Sequence, residues 1–118
     1  MTTEDAFYNF FVKRDIKIDY LHIDADHTYE GCKQDFDLYS TIMNENGIIS
    51  IHDTDEKYWK DFETYEGEPH DVCTGPSKVV KELRDDYGDK WETFNLFDHR
   101  ENTEQLTSTG LTILRKRI

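Results

Sequence analysis

Apolar positions along this chain switch between two periods, and the switches mark out alternating helices and strands. Residues Glu4 to Val12 carry Phe7, Phe10 and Phe11 at helical spacing and predict a short helix with those rings toward a core. From Ile16 to Ile23, apolar and aromatic residues fall on both faces, the pattern of a strand buried in a parallel sheet. That strand runs into Asp24-Ala25-Asp26-His27. Thr28 or Asp26 can cap the next helix, on which Tyr29, Cys32, Phe36, Tyr39 and Met43 recur three to four residues apart. Asn46-Gly47, able to take positive φ, is expected to close it. Ile48 to Ile51 reads as a second strand, ending in His52-Asp53-Thr54.

Residues 55–75 interrupt the alternation with an acidic, aromatic insertion. Tyr58, Phe62 and Tyr65 stand at helical spacing in it with Trp59 beside them, and they could line a substrate pocket or form a small satellite core. Gly75-Pro76-Ser77 then opens a helix through Val79, Val80, Leu83 and Tyr87, closed by Gly88. Two strands follow, Trp91 to Phe97 and Leu111 to Leu114, across a polar linker from Asp98 to Gly110. The order predicts an α/β fold with parallel strands and a closing antiparallel hairpin at the sheet edge. Four strands with two covering helices leave one edge open. More sheet is therefore expected before Met1 or in a partner.

Composition narrows the function classes. The chain has 118 residues, 36% hydrophobic and 34% charged, which suits one small domain. No apolar run reaches the length of a membrane span. The start, Met1-Thr2-Thr3-Glu4-Asp5, lacks a signal-peptide pattern, so a cytoplasmic location is the expectation. A net charge of -12 argues against nucleic-acid and membrane partners. The acids are spread out, and Asp85-Asp86 reads as a solvated helix end. Two cysteines, Cys32 and Cys73, form no metal spacing. Cys32 falls on an apolar helix face and reads as a buried thiol, while His70 and Cys73 make only a weak half-site.

The chemistry gathers at the strand ends. In open α/β sheets, ligands bind beyond the carboxyl ends of the strands. If the first two strands are neighbours, about 4.8 Å apart, Asp24, Asp26 and His27 converge with His52 and Asp53. Oxygen and imidazole donors together suit Mg²⁺, Mn²⁺ or Fe²⁺. His22, inside the strand, reads as a core histidine bonded to a neighbour. The His52-Asp53 pair ends a strand, whereas the HD pairs of metal phosphohydrolases sit on helices.

The run from Tyr20 to Gly31 (YLHIDADHTYEG), followed by Asp35, resembles the fourth-strand motif of class I methyltransferases of the Methyltransf_24 group. Asn46 to Thr54 (NGIISIHDT) resembles their fifth strand, and the closing hairpin resembles their reversed last two strands. The resemblance implies the C-terminal portion of a Rossmann-like class I domain spanning 1–118. It also implies S-adenosylmethionine as cofactor, methyl transfer to an oxygen of a small molecule, and a divalent cation such as Mg²⁺ held by Asp24, His52 and Asp53. Asp24 would also touch the cofactor, Asp26 would stand in the catalytic group, and His27 would act as the base. The departures are informative. No glycine-rich turn occurs upstream of Asp24, and His52 stands where a carboxylate is usual. The isolated chain is therefore expected to have little activity until a homo-oligomer or a complementing N-terminal half completes it. Two rival readings stand beside this one. Asp24-Ala25-Asp26 resembles the DxD of metal-dependent glycosyltransferases, and the chain could instead be a non-catalytic module that pairs through its sheet edge.

Overall fold

The computed structural model describes residues 1–55, 64–65, 68–69, 74–97 and 110–117. Helix α1 (Thr3–Ala6) passes directly into a π-helical stretch, Phe7–Val12. Thr2 caps α1 reciprocally: its hydroxyl accepts from the Asp5 N–H, and the Asp5 carboxylate accepts from the Thr2 N–H. The single helix expected over Glu4 to Val12 is thus split. The wider π turn separates the three phenylalanines. Phe7 is buried with Tyr39 and Ile42, Phe11 packs beside them, and Phe10 is exposed under the Arg14 guanidinium.

Strand β1 (Ile18–Ile23) leads to helix α2 (Tyr29–Tyr39), a 3₁₀ turn (Ser40–Ile42) and strand β2 (Met43–His52). The minimal strands β3 (Thr64–Tyr65) and β4 (Glu68–Pro69) pair with each other inside the insertion. Tyr65 therefore lies on a strand and not on a helical run, while Tyr58, Trp59, Phe62, His70 and Cys73 lie outside the described residues. Helix α3 (Gly75–Asp85) and strands β5 (Trp91–Leu96) and β6 (Leu111–Lys116) complete the chain, and Tyr87 falls beyond the end of α3.

Asn46-Gly47 does not end α2. The helix stops at Tyr39, and the 3₁₀ turn buries Ile42 and delivers Met43 into extended backbone. Met43 pairs with Ile18 and Ile48 with Tyr20, so Asn44–Gly47 bulges from the ladder opposite Asp19. The Asn44 amide donates to the Asp19 carboxylate at 2.6 Å and stabilises the bulge.

The sheet order among the described residues is β1-β2-β6-β5. β1 and β2 are parallel, and β6 is antiparallel to both β2 and β5. The mixed α/β architecture and the closing antiparallel hairpin at the sheet edge agree with the sequence reading, with β5 as the edge strand and β6 the reversed one. Helix α3 carries the chain past β2 to β5, and the last strand folds back into the gap, where both its ladders are satisfied.

Both long helices cover one face. Ile23, Cys32, Phe36, Ile49, Ile51, Val79, Val80, Leu83 and Leu114 form that core, with Trp91 edge-on to Phe36 at 5.2 Å. Cys32 is buried, as its helix position predicts. The opposite face presents Tyr20, Ile48, Phe94 and Leu96 to solvent. His22 also points there, so it is exposed and not a core residue. Its expected neighbour bond is present nonetheless, Nδ1 to Ser50 Oγ at 2.7 Å.

Candidate functional site

The register of β1 on β2 builds the site. Ile23 pairs with Ile51, so the residues that follow, Asp24 and His52, leave the sheet side by side. His52 Nδ1 lies 3.2 Å from Asp24 Oδ1. The next residue, Asp53, takes a left-handed conformation with φ of 63°, uncommon for a residue with a side chain. Its N–H donates to the Gly110 carbonyl at 2.9 Å, which holds the turn against the residue leading into β6. Gly110 itself has φ of 90°, and a Cβ there would lie 2.6 Å from the Asp55 nitrogen. The left-handed turn puts Asp53 Oδ2 at 3.2 Å from His52 Nδ1 and 2.8 Å from His27 Nε2, with the Asp53 side chain only 7% exposed.

His27 reaches this point from a turn stabilised on itself. Asp26 Oδ1 accepts from the Thr28 N–H at 2.8 Å, and Thr28 Oγ1 caps α2 by accepting from the Gly31 N–H at 3.1 Å. Thr28 is thus the cap, and Asp26 fixes the turn before it. The Thr28 N–H, then its hydroxyl, hold the Asp26 carboxyl below the usual carboxylate range. A Cβ on Gly31 would lie 2.5 Å from that carboxylate, so Asp26 occupies the space over the start of α2.

Four of the five expected residues come together. Donor atoms of Asp24, His27 and Asp53 all lie within 4.8 Å of one another, and His52 Nδ1 stands 3.2 Å from both carboxylates. Asp26 is held at the turn, outside this group. Two residues that support Asp53 escaped the sequence reading. Gly110 is one, signalled only by a glycine ahead of a strand. Thr112 is the other: fully buried, its hydroxyl lies 2.8 Å from Thr54 Oγ1 and 2.7 Å from Asn95 Oδ1. It tethers the residue after Asp53 to the sheet.

Residues 1–54 match the family model for a methyltransferase domain, Methyltransf_24. Over that segment the chain is similar to a methyltransferase domain. The matched segment ends at Thr54 and so takes in both strand ends that carry the cluster. The chain superposes over 99% of its length on a Staphylococcus aureus protein named as a caffeoyl-CoA O-methyltransferase, with a TM-score of 0.67 and 17% identity, and so shares its fold. It spans 49% of that protein's chain. No curated protein matches it. In this chain the fold sets parallel strand ends beside one reversed strand. Among the described residues, no helix is long and apolar enough to cross a membrane.

Proposed function

We propose that the chain works as the metal-bearing portion of an S-adenosylmethionine-dependent methyltransferase acting at an oxygen of a small molecule. One observation carries this reading: two carboxylates and two imidazoles converge at adjacent strand ends, inside the segment matched to a methyltransferase domain. The donor set fits a divalent cation, since Asp24 and Asp53 offer anionic oxygens and His52 offers Nδ1 between them. Mg²⁺, Mn²⁺ and Fe²⁺ all accept such donors. A cation there would lower the pKa of an acceptor hydroxyl.

The chain's own residues divide the remaining tasks. Asp53 orients the His27 imidazole through the 2.8 Å contact at Nε2. His27, at the mouth of the site, takes the proton that the acceptor oxygen loses. S-adenosylmethionine, if bound, would supply the methyl group to that oxygen by in-line displacement. Positioning supplies much of the rate in such an in-line displacement. Asp26 serves the site indirectly by holding the His27 turn.

The described residues do not by themselves fit the cofactor. No glycine-rich turn precedes Asp24, which leaves Asp24 as the one expected contact. The bare sheet face also supports a second reading, a module that pairs without catalysis. The DxD reading loses its footing because Asp26 is engaged at the turn and only Asp24 joins the cluster.

Mn²⁺ titration followed by electron paramagnetic resonance tests the proposal. The parent chain should bind, and Asp24→Ala and Asp53→Ala should each weaken binding at least tenfold, about 1.4 kcal/mol, with unchanged circular dichroism. Equal Mn²⁺ affinity in all three proteins would remove the metal from the mechanism and leave the pairing module.

A further inference from the structure

Helix α3 begins inside the turn that carries His27, and it fits there because its first residue has no side chain. The Gly75 N–H donates to the His27 carbonyl at 3.0 Å. A Cβ on Gly75 would lie 2.2 Å from the Thr28 carbonyl carbon, 2.3 Å from the His27 oxygen and 2.4 Å from the Tyr29 nitrogen. All three are backbone atoms, so no side-chain rotation relieves the clash. Gly75 is helical with negative φ, so the requirement for glycine is one of space and not of backbone freedom. Thr74, Gly75, Pro76 and Ser77 are all buried, so α3 is seated in the turn from its first residue.

The opposite side of the turn is fixed as well. Asp26, Thr28 and Gly31 bind it to the start of α2. His27 is therefore carried on a segment held between two helices. Asp24, His52 and Asp53 differ, because the β1–β2 ladder and the Gly110 contact set their places.

We propose that Gly75 is a positioning residue: the seat of α3 in the turn sets His27 Nε2 against Asp53 Oδ2. The inference rests on reading this cluster as the functional centre. Ordinary contact begins at 3.4 Å, so a methyl group at position 75 must push helix and turn apart. A shift of roughly 1 Å is enough to misplace a group at a reacting centre. Alanine is the better helix former, so any loss in Gly75→Ala comes from the turn and not from α3 itself.

The test follows the His27 ring nitrogens by ¹⁵N NMR, together with Mn²⁺ affinity. In Gly75→Ala, the Nε2 signal should move to the position it takes in Asp53→Asn, where the contact partner is changed. Mn²⁺ affinity should stay within about twofold of the parent, because the β1–β2 ladder and Gly110, not the turn, place Asp24, His52 and Asp53, and a tenfold loss would overturn an effect confined to His27. Tyr29→Phe, which breaks the Tyr29–Glu82 bond between α2 and α3 without entering the turn, should leave the Nε2 signal in place. A folded Gly75→Ala protein with the parental Nε2 signal overturns the proposal. If the parent binds no Mn²⁺, the metal reading fails and the Nε2 signal alone decides. If Gly75→Ala does not fold, Thr28→Gly decides, because it loosens the turn while α3 stays seated. The Nε2 signal should then hold, and its displacement would show that the turn's own stiffness, not α3, places His27.

Discussion

Cys32 and Tyr29 are among the side chains whose protonation equilibria their surroundings displace. The Cys32 thiol is fully buried, and burial, reinforced by the Asp35 carboxylate, pushes its pKa up to about 12. It should resist a disulfide reagent in native buffer and react fully in denaturant, measured on a Cys73→Ala background to isolate the signal. Rapid native labelling would mean that the α2–sheet contact opens locally. The Tyr29 phenol donates to the Glu82 carboxylate, and that bond, then burial, raises its pKa from 10.0 to about 12. The folded state thus holds this proton more tightly than the unfolded state does. The stabilisation is complete below pH 10 and is lost as pH rises through 12. Urea unfolding of the parent and of Tyr29→Phe should therefore show a stability difference that shrinks across that window. A difference that stays constant with pH would mean the bond does not operate in solution.

At the scale of elements, α3 does two things. Its apolar stripe of Val79, Val80 and Leu83 closes the core over β2 and Leu114, and its first residue seats the His27 turn. Leu83 is 2% exposed, and Leu83→Ala should cost about 2–5 kcal/mol in chemical denaturation, the range for a buried leucine that leaves a cavity. A cost under about 1 kcal/mol would mean that α3 is loosely docked. Some element boundaries were legible in the pattern, such as the Thr28 cap and the glycine-proline opening of α3. The end of α2 was not. Met43 continues the helical stripe of Tyr29, Cys32, Phe36 and Tyr39, yet the competing partner Ile18 draws it into β2. That competition is between segments 25 residues apart, and local periodicity does not register it.

At the scale of the whole molecule, the sheet has one packed face and one bare face among the described residues. Sheets with parallel strands are ordinarily covered on both sides, and here Tyr20, Ile48, Phe94 and Leu96 remain in solvent among the described residues. The net charge of -12 opposes contact between copies at low ionic strength, and salt screens that repulsion. Sedimentation of the isolated chain should show apparent mass rising with salt. Phe94→Asp should flatten that rise with little loss of stability, because Phe94 is already 63% exposed. A mass independent of both salt and this substitution would mean that the face does not mediate contact between copies.

The sequence by itself determined the alternation of strand and helix, the buried thiol, and the two strand ends where acids and imidazoles lie, because periodicity and residue type are local properties. It also carried the likeness to a methyltransferase domain, written in the runs around Asp24 and Asp53. Only the tertiary structure decided which of those side chains meet. The β1–β2 register set Asp24 beside His52, the left-handed turn at Asp53 aimed its carboxylate at both imidazoles, and the turn fixed by Asp26 left that residue outside the group. The insertion of β6 between β2 and β5 was likewise invisible along the chain. Each of these depends on contacts between residues distant in sequence, such as Gly110 with Asp53 and Gly75 with His27, whose energies exist only once the elements have packed.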